Sequence, residues 1–172
     1  MSIKIKRIYW DSCAFIHRFE ETSEYQDALA EMVCQAEKKA CTIVTSAVSL
    51  AEVCKIPDQG MLPLEQTQKI LRFFEHEYIE VYQADRVICE EAHHIIRLNG
   101  LLPMDAIHMA TALVAKVDLV VTTDSKKYRR KGLLFYDGRI GNPPLKVTLP
   151  DLGIFLPMLG RQEGNEGATQ KE

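Results

Sequence analysis

The sequence lacks the features that define several large classes of protein. Its five cysteines are an odd number and contain no C-x-x-C pair, so both a disulfide framework and a zinc finger are poorly supported. No apolar run approaches the roughly 20 residues that a membrane span requires. A positive charge excess is also absent, since the net charge is -3. Any polyanion would therefore have to be bound by a local patch of the surface.

Targeting signals and nucleotide-binding motifs are missing as well. The N-terminus, MSIKIKRIYWDS, has no apolar core or cleavage site of a secretory signal, which predicts a cytoplasmic protein. Without G-x-G-x-x-G, Walker or G-x-S-x-G motifs, dinucleotide binding, P-loop hydrolysis and α/β-hydrolase chemistry lose their usual support. The 172 residues are 47% hydrophobic and 26% charged, as in a globular domain. We predict a single domain over residues 1–159 and a flexible tail over residues 160–172.

Short β-branched runs alternate with amphipathic segments along the chain. This order predicts an α/β protein in which a mostly parallel sheet is covered by helices on both faces. Ser46 is a candidate cap for one of the helices, and a turn is expected over residues 60–63. Strands are predicted at residues 3–10, 42–45, 78–82, 117–123 and 145–149, and helices at residues 24–39, 47–56, 64–76, 84–98 and 103–116.

Four acidic residues are candidates for a functional site. Asp11 and Asp124 each directly follow a predicted strand, where parallel sheets bind ligands, although either could instead be a helix cap. Glu52 and Asp105 lie in the apolar helical contexts SLAEV and PMDAIHMATA, where burying an unpaired carboxylate costs several kcal/mol. Alternatively, Glu52 is a boundary residue and Asp105 is a first-turn acid favoured by the helix dipole.

Together, these four acids favour a cation site at one end of the sheet. Two like charges about 4 Å apart repel each other by ~4 kcal/mol at an effective dielectric constant of about 20. Carboxylate oxygens suit Mg²⁺ or Mn²⁺, whereas the clustered thiolates or histidines that suit Zn²⁺ are lacking. Such a metal site suits phosphate chemistry, because a bound Mg²⁺ lowers the pKa of an attacking water and stabilises the leaving oxygen.

Two further features lie close to these acids in the sequence. A basic stretch follows Asp124; alone it would be a solvated surface, but beside a metal site it is a candidate contact for a phosphate backbone. His108 shares a helix face with Asp105 and could orient a carboxylate, although a buried, hydrogen-bonded histidine is the simpler interpretation. The basic stretch consists of Lys126, Lys127, Arg129, Arg130 and Lys131.

Four segments occur in the order IYWDSCAFI, TSAVSLAEV, LLPMDAIHMATAL and LVVTTDSKKYRRKG. They resemble the motifs of the PIN domain nucleases, a family that includes the VapC-type ribonuclease toxins. The resemblance covers residues 3–131 and implies a three-layer α/β/α fold whose acidic pocket binds Mg²⁺ or Mn²⁺. It assigns Asp11, Glu52, Asp105 and Asp124 as the catalytic and metal-binding acids, with Ser12, Ser46 and Thr123 as nearby polar support.

The same resemblance implies a function and partners. We expect an endoribonuclease that depends on Mg²⁺ or Mn²⁺, with a type II toxin as its biological form and an antitoxin and a homodimer as candidate partners. The chain is longer than the compact toxins, and residues 132–172 match no motif of the family. Two other functions stay open: a non-catalytic module of this fold that binds RNA or protein, and a metal-dependent phosphatase, which no D-x-D motif supports.

Overall fold

The computed structural model describes residues 7–20, 22–56, 60–125 and 131–159. The strands in these ranges are β1 (Arg7–Trp10), β2 (Thr42–Ser46), β3 (Lys55–Ile56), β4 (Gly60–Met61), β5 (Ile79–Tyr82), β6 (Leu119–Val121) and β7 (Val147–Thr148). The helices are α1 (Ser12–Phe19), α2 (Gln26–Glu37), α3 (Val48–Glu52), α4 (Leu64–Phe73), α5 (Arg86–Asn99), α6 (Pro103–Val114) and α7 (Leu152–Leu159), with a 3-10 helix at Leu133–Tyr136.

Five of the strands form a single parallel sheet in the order β5-β2-β1-β6-β7. Parallel neighbours need long crossover connections, and α2, α4 and α6 each lie in a segment that connects two of these strands. The remaining two strands, β3 and β4, pair antiparallel outside this sheet. The predicted α/β class with a mostly parallel sheet is therefore confirmed.

Helices cover both faces of the sheet because side chains alternate along its strands. In β1, Ile8 and Trp10 pack into a core formed with α1, α2, α4 and α7. Tyr9 points to the opposite face, into a second core formed with α5, α6 and the 3-10 helix. The three-layer α/β/α arrangement is thus confirmed.

The parallel arrangement brings the functional candidates to one edge of the sheet. The strand β1 ends directly before Asp11, β2 ends at Ser46, and β6 ends directly before Thr122. Because α6 connects to β6 by a short turn and packs against the sheet, it runs back along β6 and starts at the same edge. Asp105 in its first turn therefore lies beside the carboxyl ends of the strands.

The region after Ser46 differs from the prediction. The helix ends at Glu52 rather than at residue 56, since Val53 is its C-cap and the chain then turns into β3. The expected turn over residues 60–63 is in part strand β4, which pairs with β3. The cap position of α3 is Ala47, and the Ser46 hydroxyl accepts only a long 3.4 Å bond from the Val48 amide.

Three elements lie where no secondary structure was predicted, namely α1, the 3-10 helix and α7. The predicted last strand is confirmed as the two residues of β7. The predicted tail over residues 160–172 and the first part of the predicted strand, residues 3–6, lie outside the described residues. Among the helices that are described, none combines the length and the apolar character needed to cross a membrane.

Candidate active site

Asp11 is a buried carboxylate at the junction of β1 and α1, with only 2% of its surface exposed. Its Oδ1 accepts the backbone N–H of Ala14 at 3.0 Å and thereby caps α1, while its Oδ2 accepts the hydroxyl of Thr122. Burial raises the pKa of Asp11 above its ordinary value, although His108 and the Thr122 hydrogen bond act in the opposite direction. The two interpretations of Asp11 are therefore compatible, because a helix cap also lies at the candidate site.

Asp124 is held at the end of β6 by residues on both sides of it in the sequence. Its backbone N–H donates to the Thr122 hydroxyl at 2.9 Å, so that this hydroxyl links Asp11 and Asp124. Its Oδ2 accepts the Leu133 N–H at 2.9 Å, and its backbone oxygen accepts the Leu134 N–H at 3.2 Å. Gly132 permits this approach, because a Cβ there would lie 2.4 Å from the backbone oxygen of Asp124.

Glu52, the last residue of α3, reaches the same edge and is held in its ionised form. Its Oε2 accepts the Ser12 hydroxyl at 2.9 Å and lies 2.7 Å from Nε2 of His108. Burial acts to raise the pKa of Glu52, but the hydrogen bond and charge of His108 and the Ser12 bond outweigh it, and the pKa is lowered. Glu52 is therefore a carboxylate with a fixed orientation.

His108 connects this carboxylate to the core of the protein. It is 3% exposed, and its Nδ1 lies 2.7 Å from the hydroxyl of Tyr9, whose ring packs edge-on against the imidazole. Burial acts to lower the pKa of His108, but Glu52, Asp11 and Asp105 together raise it above the ordinary value. His108 is thus both the buried, hydrogen-bonded histidine and the residue that orients a carboxylate.

Asp105 differs from the other three acids because its side-chain carboxylate has no hydrogen bond or ion pair with the described residues. It is half-buried in the first turn of α6. Burial, together with repulsion from Asp124, Glu52 and Asp11, raises its pKa to about 6, although His108 opposes the shift. The structure therefore places all four predicted acids within electrostatic range of one another.

Of the three residues predicted as polar support, Ser12 alone is hydrogen-bonded to one of the four acids in the described part of the chain. Ser12 donates to Glu52 as described, whereas the Ser46 hydroxyl accepts the Val48 amide and no side-chain hydrogen bond joins Thr123 to an acid among the described residues. Thr122 rather than Thr123 binds the acids. The sequence did not predict the roles of Thr122 and of Tyr9, which lies behind His108. Both roles depend on which strands are neighbours in the sheet. The signal available in the sequence is the pair of threonines in LVVTTD, and the prediction names only the second of them.

The predicted basic stretch is described only at its last residue. Lys126, Lys127, Arg129 and Arg130 lie outside the described residues. Lys131 is exposed, and its ammonium group lies 4.0 Å from the centroid of the Phe135 ring. The two residues that follow it, Gly132 and Leu133, lie against Asp124.

The four acids offer the chemistry of a site for a hard divalent cation. In the described part of the chain, no three His, Cys, Asp or Glu side chains converge into a ready-made metal-binding group. Mg²⁺ does not require such a group, because it usually keeps several waters and takes one or two carboxylates directly. The half-buried carboxylate of Asp105, which has no partner among the described residues and is repelled by three other acids, is a group whose charge a cation would neutralise. Asp11, Asp105, Asp124 and Glu52 therefore fit Mg²⁺ or Mn²⁺.

Comparisons with known proteins agree with this fold. The family model described as PIN domain matches residues 8–133. The VapC20 toxin of Mycobacterium tuberculosis, described as cleaving the sarcin-ricin loop, matches at a TM-score of 0.57 and 11% identity, over 69% of this chain and 91% of that one.

Two structures of toxin-antitoxin systems are also similar. A toxin-antitoxin complex from Klebsiella pneumoniae matches at a TM-score of 0.56 and 16% identity, over 84% of this chain and 98% of that one. The VapBC2 complex of Rickettsia felis, bound to a DNA fragment from its promoter, matches at 0.55 and 18% identity, over 84% and 99%. At these identities the structures share the fold, and no curated protein sequence matches the chain.

Proposed function

The chain belongs to the PIN domain family, and from this we propose that it is a Mg²⁺- or Mn²⁺-dependent endoribonuclease that hydrolyses RNA phosphodiester bonds. The observation that carries the proposal is the meeting of four carboxylates, from four separate segments, at the carboxyl edge of the sheet. Such an arrangement is unfavourable without a cation, because like charges repel at short distance.

The residues of the site have distinct roles in this proposal. Asp11, Asp105 and Asp124 would hold the ion, and Asp11 and Asp124 are already fixed by the hydrogen bonds from Ala14, Thr122 and Leu133. A bound divalent cation would lower the pKa of an attacking water and stabilise charge on the phosphate. Glu52 would act as a further ligand or orient the attacking water, since Ser12 and His108 fix its carboxylate.

The fold also supports a toxin with a protein partner. Toxin-antitoxin complexes share this fold, and we propose that the chain is the toxin of a type II pair with a cognate antitoxin, and that a homodimer is a second assembly to test. We also assign it to the cytoplasm. This is supported by its five cysteines, all of which lie in described segments and are free thiols.

Cleavage of a panel of structured and unstructured RNAs tests the proposal. Purified protein should cut RNA with Mg²⁺ or Mn²⁺ and not with EDTA, and Asp11→Asn should abolish cutting. Asn is also a good helix cap, so this change should leave α1 intact. Glu75→Gln, at an exposed position, is the matched control and should cut like the wild type.

Calorimetry with Mn²⁺ alone separates the proposal from the non-catalytic alternative. We expect binding by the wild type and by Glu75→Gln, and weaker binding by Asp105→Asn. Absence of both cleavage and Mn²⁺ binding would contradict the nuclease and favour a module that only binds RNA or protein.

A further inference from the structure

Lys131 and Arg139 lie together on the aromatic ring of Phe135, just beyond the acidic edge. The Lys131 ammonium is 4.0 Å and the Arg139 guanidinium 4.1 Å from the centroid of this ring. We propose that these two residues, the Phe135 cation pair, form a binding site for phosphates of the RNA backbone. The inference rests on the proposed function, because it concerns the substrate of the same site, but Arg139 and Phe135 lie beyond the segment that the family model matches.

The cation pair is attached to the acidic site through the backbone. Leu133 donates its N–H to the carboxylate of Asp124, and Leu134 donates to the backbone oxygen of the same residue. Phe135 follows in the 3-10 helix that begins at Leu133, and the Phe135 N–H closes back onto the Gly132 oxygen. The ring therefore has a fixed position relative to Asp124.

The charges of the acidic site and the cation pair act on the same residue. Tyr136 is buried beside Phe135, and its hydroxyl donates to the backbone oxygen of Asn99. Its pKa is raised by burial and by the charge of Asp105, and Arg139 opposes this shift. Tyr136 is therefore within range of one charge from the acidic site and of one member of the cation pair.

Both cations are exposed and form no ion pair with a carboxylate of the described residues. A polyanion approaching four carboxylates is repelled, and two unpaired cations at the border of that site would offset the repulsion. The phosphate on one side of the reacting bond could then contact Lys131 and Arg139 while the bond itself lies over the acids.

Phe135 gives this pair a defined geometry. Cation–π attraction restrains two long side chains that would otherwise lose rotamer freedom on binding. The ring is already occupied by two cations, so it does not offer a free surface on which a base could stack. We therefore expect contacts to phosphates, which are independent of sequence, rather than recognition of bases.

Salt-dependent binding of RNA tests the site without relying on cleavage. The full chain carrying Asp11→Asn is titrated onto a fluorescently labelled, unstructured single-stranded RNA, and affinity is measured by anisotropy over a series of salt concentrations. Each lost phosphate contact should lower the slope of log affinity against log salt by about 0.7. Adding Lys131→Gln and Arg139→Gln together should therefore lower the slope by about 1.4 and weaken binding at low salt by roughly tenfold.

The matched control removes the same charge elsewhere. Lys69→Gln with Arg72→Gln, at exposed positions of α4 across the sheet, should leave the slope nearly unchanged. Phe135→Leu keeps both charges but removes the ring, and should weaken binding less than the double change. Thermal unfolding of each variant confirms that the fold is retained.

Three results would overturn the inference. The slope of log affinity against log salt could be unchanged by the double substitution, or the α4 control could lower that slope equally. The third is that the Asp11→Asn chain does not bind RNA at low salt. The first two can occur in a protein that still cleaves RNA, so they leave the proposed function standing. Conversely, a wild type that never cleaves, together with binding that depends on the cation pair, would contradict the nuclease and support the phosphate site.

Discussion

Nε2 of His108 lies 2.7 Å from Oε2 of Glu52, while Nδ1 of the same ring lies 2.7 Å from the hydroxyl of Tyr9. An ionised carboxylate only accepts hydrogen bonds, so Nε2 carries a hydrogen and donates it to Glu52. The imidazole is thus held from both sides in the interior of the protein. This pairing makes the orientation of Glu52 dependent on a residue that does not face the substrate.

Loss of this pair should destabilise the protein in a pH-dependent way. His108→Gln should lower the free energy of unfolding by about 2 to 4 kcal/mol, because it weakens a buried charged hydrogen bond. Because the pKa of His108 is raised in the folded protein, protonation of His108 stabilises the fold. This stabilisation is complete below pH 6.5, the pKa of the unfolded state, and is lost as the pH rises through the folded-state pKa. The lowered pKa of Glu52 makes its contribution present above pH 4.5 and lost as the pH falls through its folded-state value.

The difference in unfolding free energy between the wild type and His108→Gln should therefore be greatest between about pH 4.5 and 6.5 and should decline at higher pH. Urea denaturation across pH 4 to 9 measures it. A difference that is constant over this whole range would contradict the ionic character of the pair.

Asp105→Asn should stabilise the metal-free protein at neutral pH. The folded-state pKa of Asp105 is about 6, above the ordinary 3.8, so the fold disfavours the ionised carboxylate. Its ionisation therefore destabilises the protein increasingly as the pH rises from 3.8 to about 6. After allowance for solvent screening, we expect a gain on the order of 1 to 2 kcal/mol at pH 7 in EDTA. At about pH 2.5 the gain should vanish, because the carboxyl is then protonated in both the folded and the unfolded state. Thermal unfolding at the two pH values measures this, and equal effects at both would contradict the assigned repulsion.

Thr122→Val should impair the site more than the neighbouring Thr123→Val. The first change removes the hydroxyl that binds both Asp11 and the Asp124 amide, whereas the Thr123 hydroxyl has no hydrogen bond to an acid among the described residues. We expect Thr122→Val to lower the free energy of unfolding by about 1 to 3 kcal/mol and cleavage by tenfold or more. RNA cleavage rates and urea denaturation of both variants measure this, and equal losses would assign the supporting role to both threonines.

Gly132→Ala should displace Asp124. An added Cβ would lie 2.4 Å from the backbone oxygen of Asp124 and 2.6 Å from that of Ser125, so the backbone itself has to move. We expect a loss of about 2 to 4 kcal/mol in unfolding free energy, together with weaker Mn²⁺ binding in calorimetry. Gly153→Ala is the control, because its Cβ would meet only side-chain atoms of Asp151, at 3.1 Å or more, and no backbone. Unchanged Mn²⁺ binding in Gly132→Ala would show that the loop does not position Asp124.

Local sequence patterns were sufficient to predict the sheet and to select four acids that the fold brings to its carboxyl edge. Asp11 and Asp124 follow strands, and Glu52 and Asp105 interrupt apolar helical stretches, so each signal lies within a few residues. The helix α7 was not predicted because LGIFLPML is apolar throughout and contains Pro157, which hides any helical period. The helix α1 was not predicted because it begins directly after the apolar end of β1.

The connections between the acids could not be predicted in the same way. The roles of Tyr9 and Thr122 arise because β1 lies between β2 and β6, and an isolated segment contains no information about its neighbour in the sheet. His108 was recognised as a possible orienting group, but its partner, Glu52, is 56 residues earlier in the chain. Pairings over such distances depend on the assembled topology.

The hydrogen bond between Thr122 and Asp11 joins residues 111 positions apart, and this separation determines when during synthesis the site can first exist. Domains generally fold as units, and non-local pairings form only after the intervening chain is available. The first strand emerges from the ribosome early, but β6 and the Leu133 amide that holds Asp124 emerge only after most of the polypeptide has been made. The four acids can therefore be held together at this edge only in a chain that already includes β6 and the segment through Leu133.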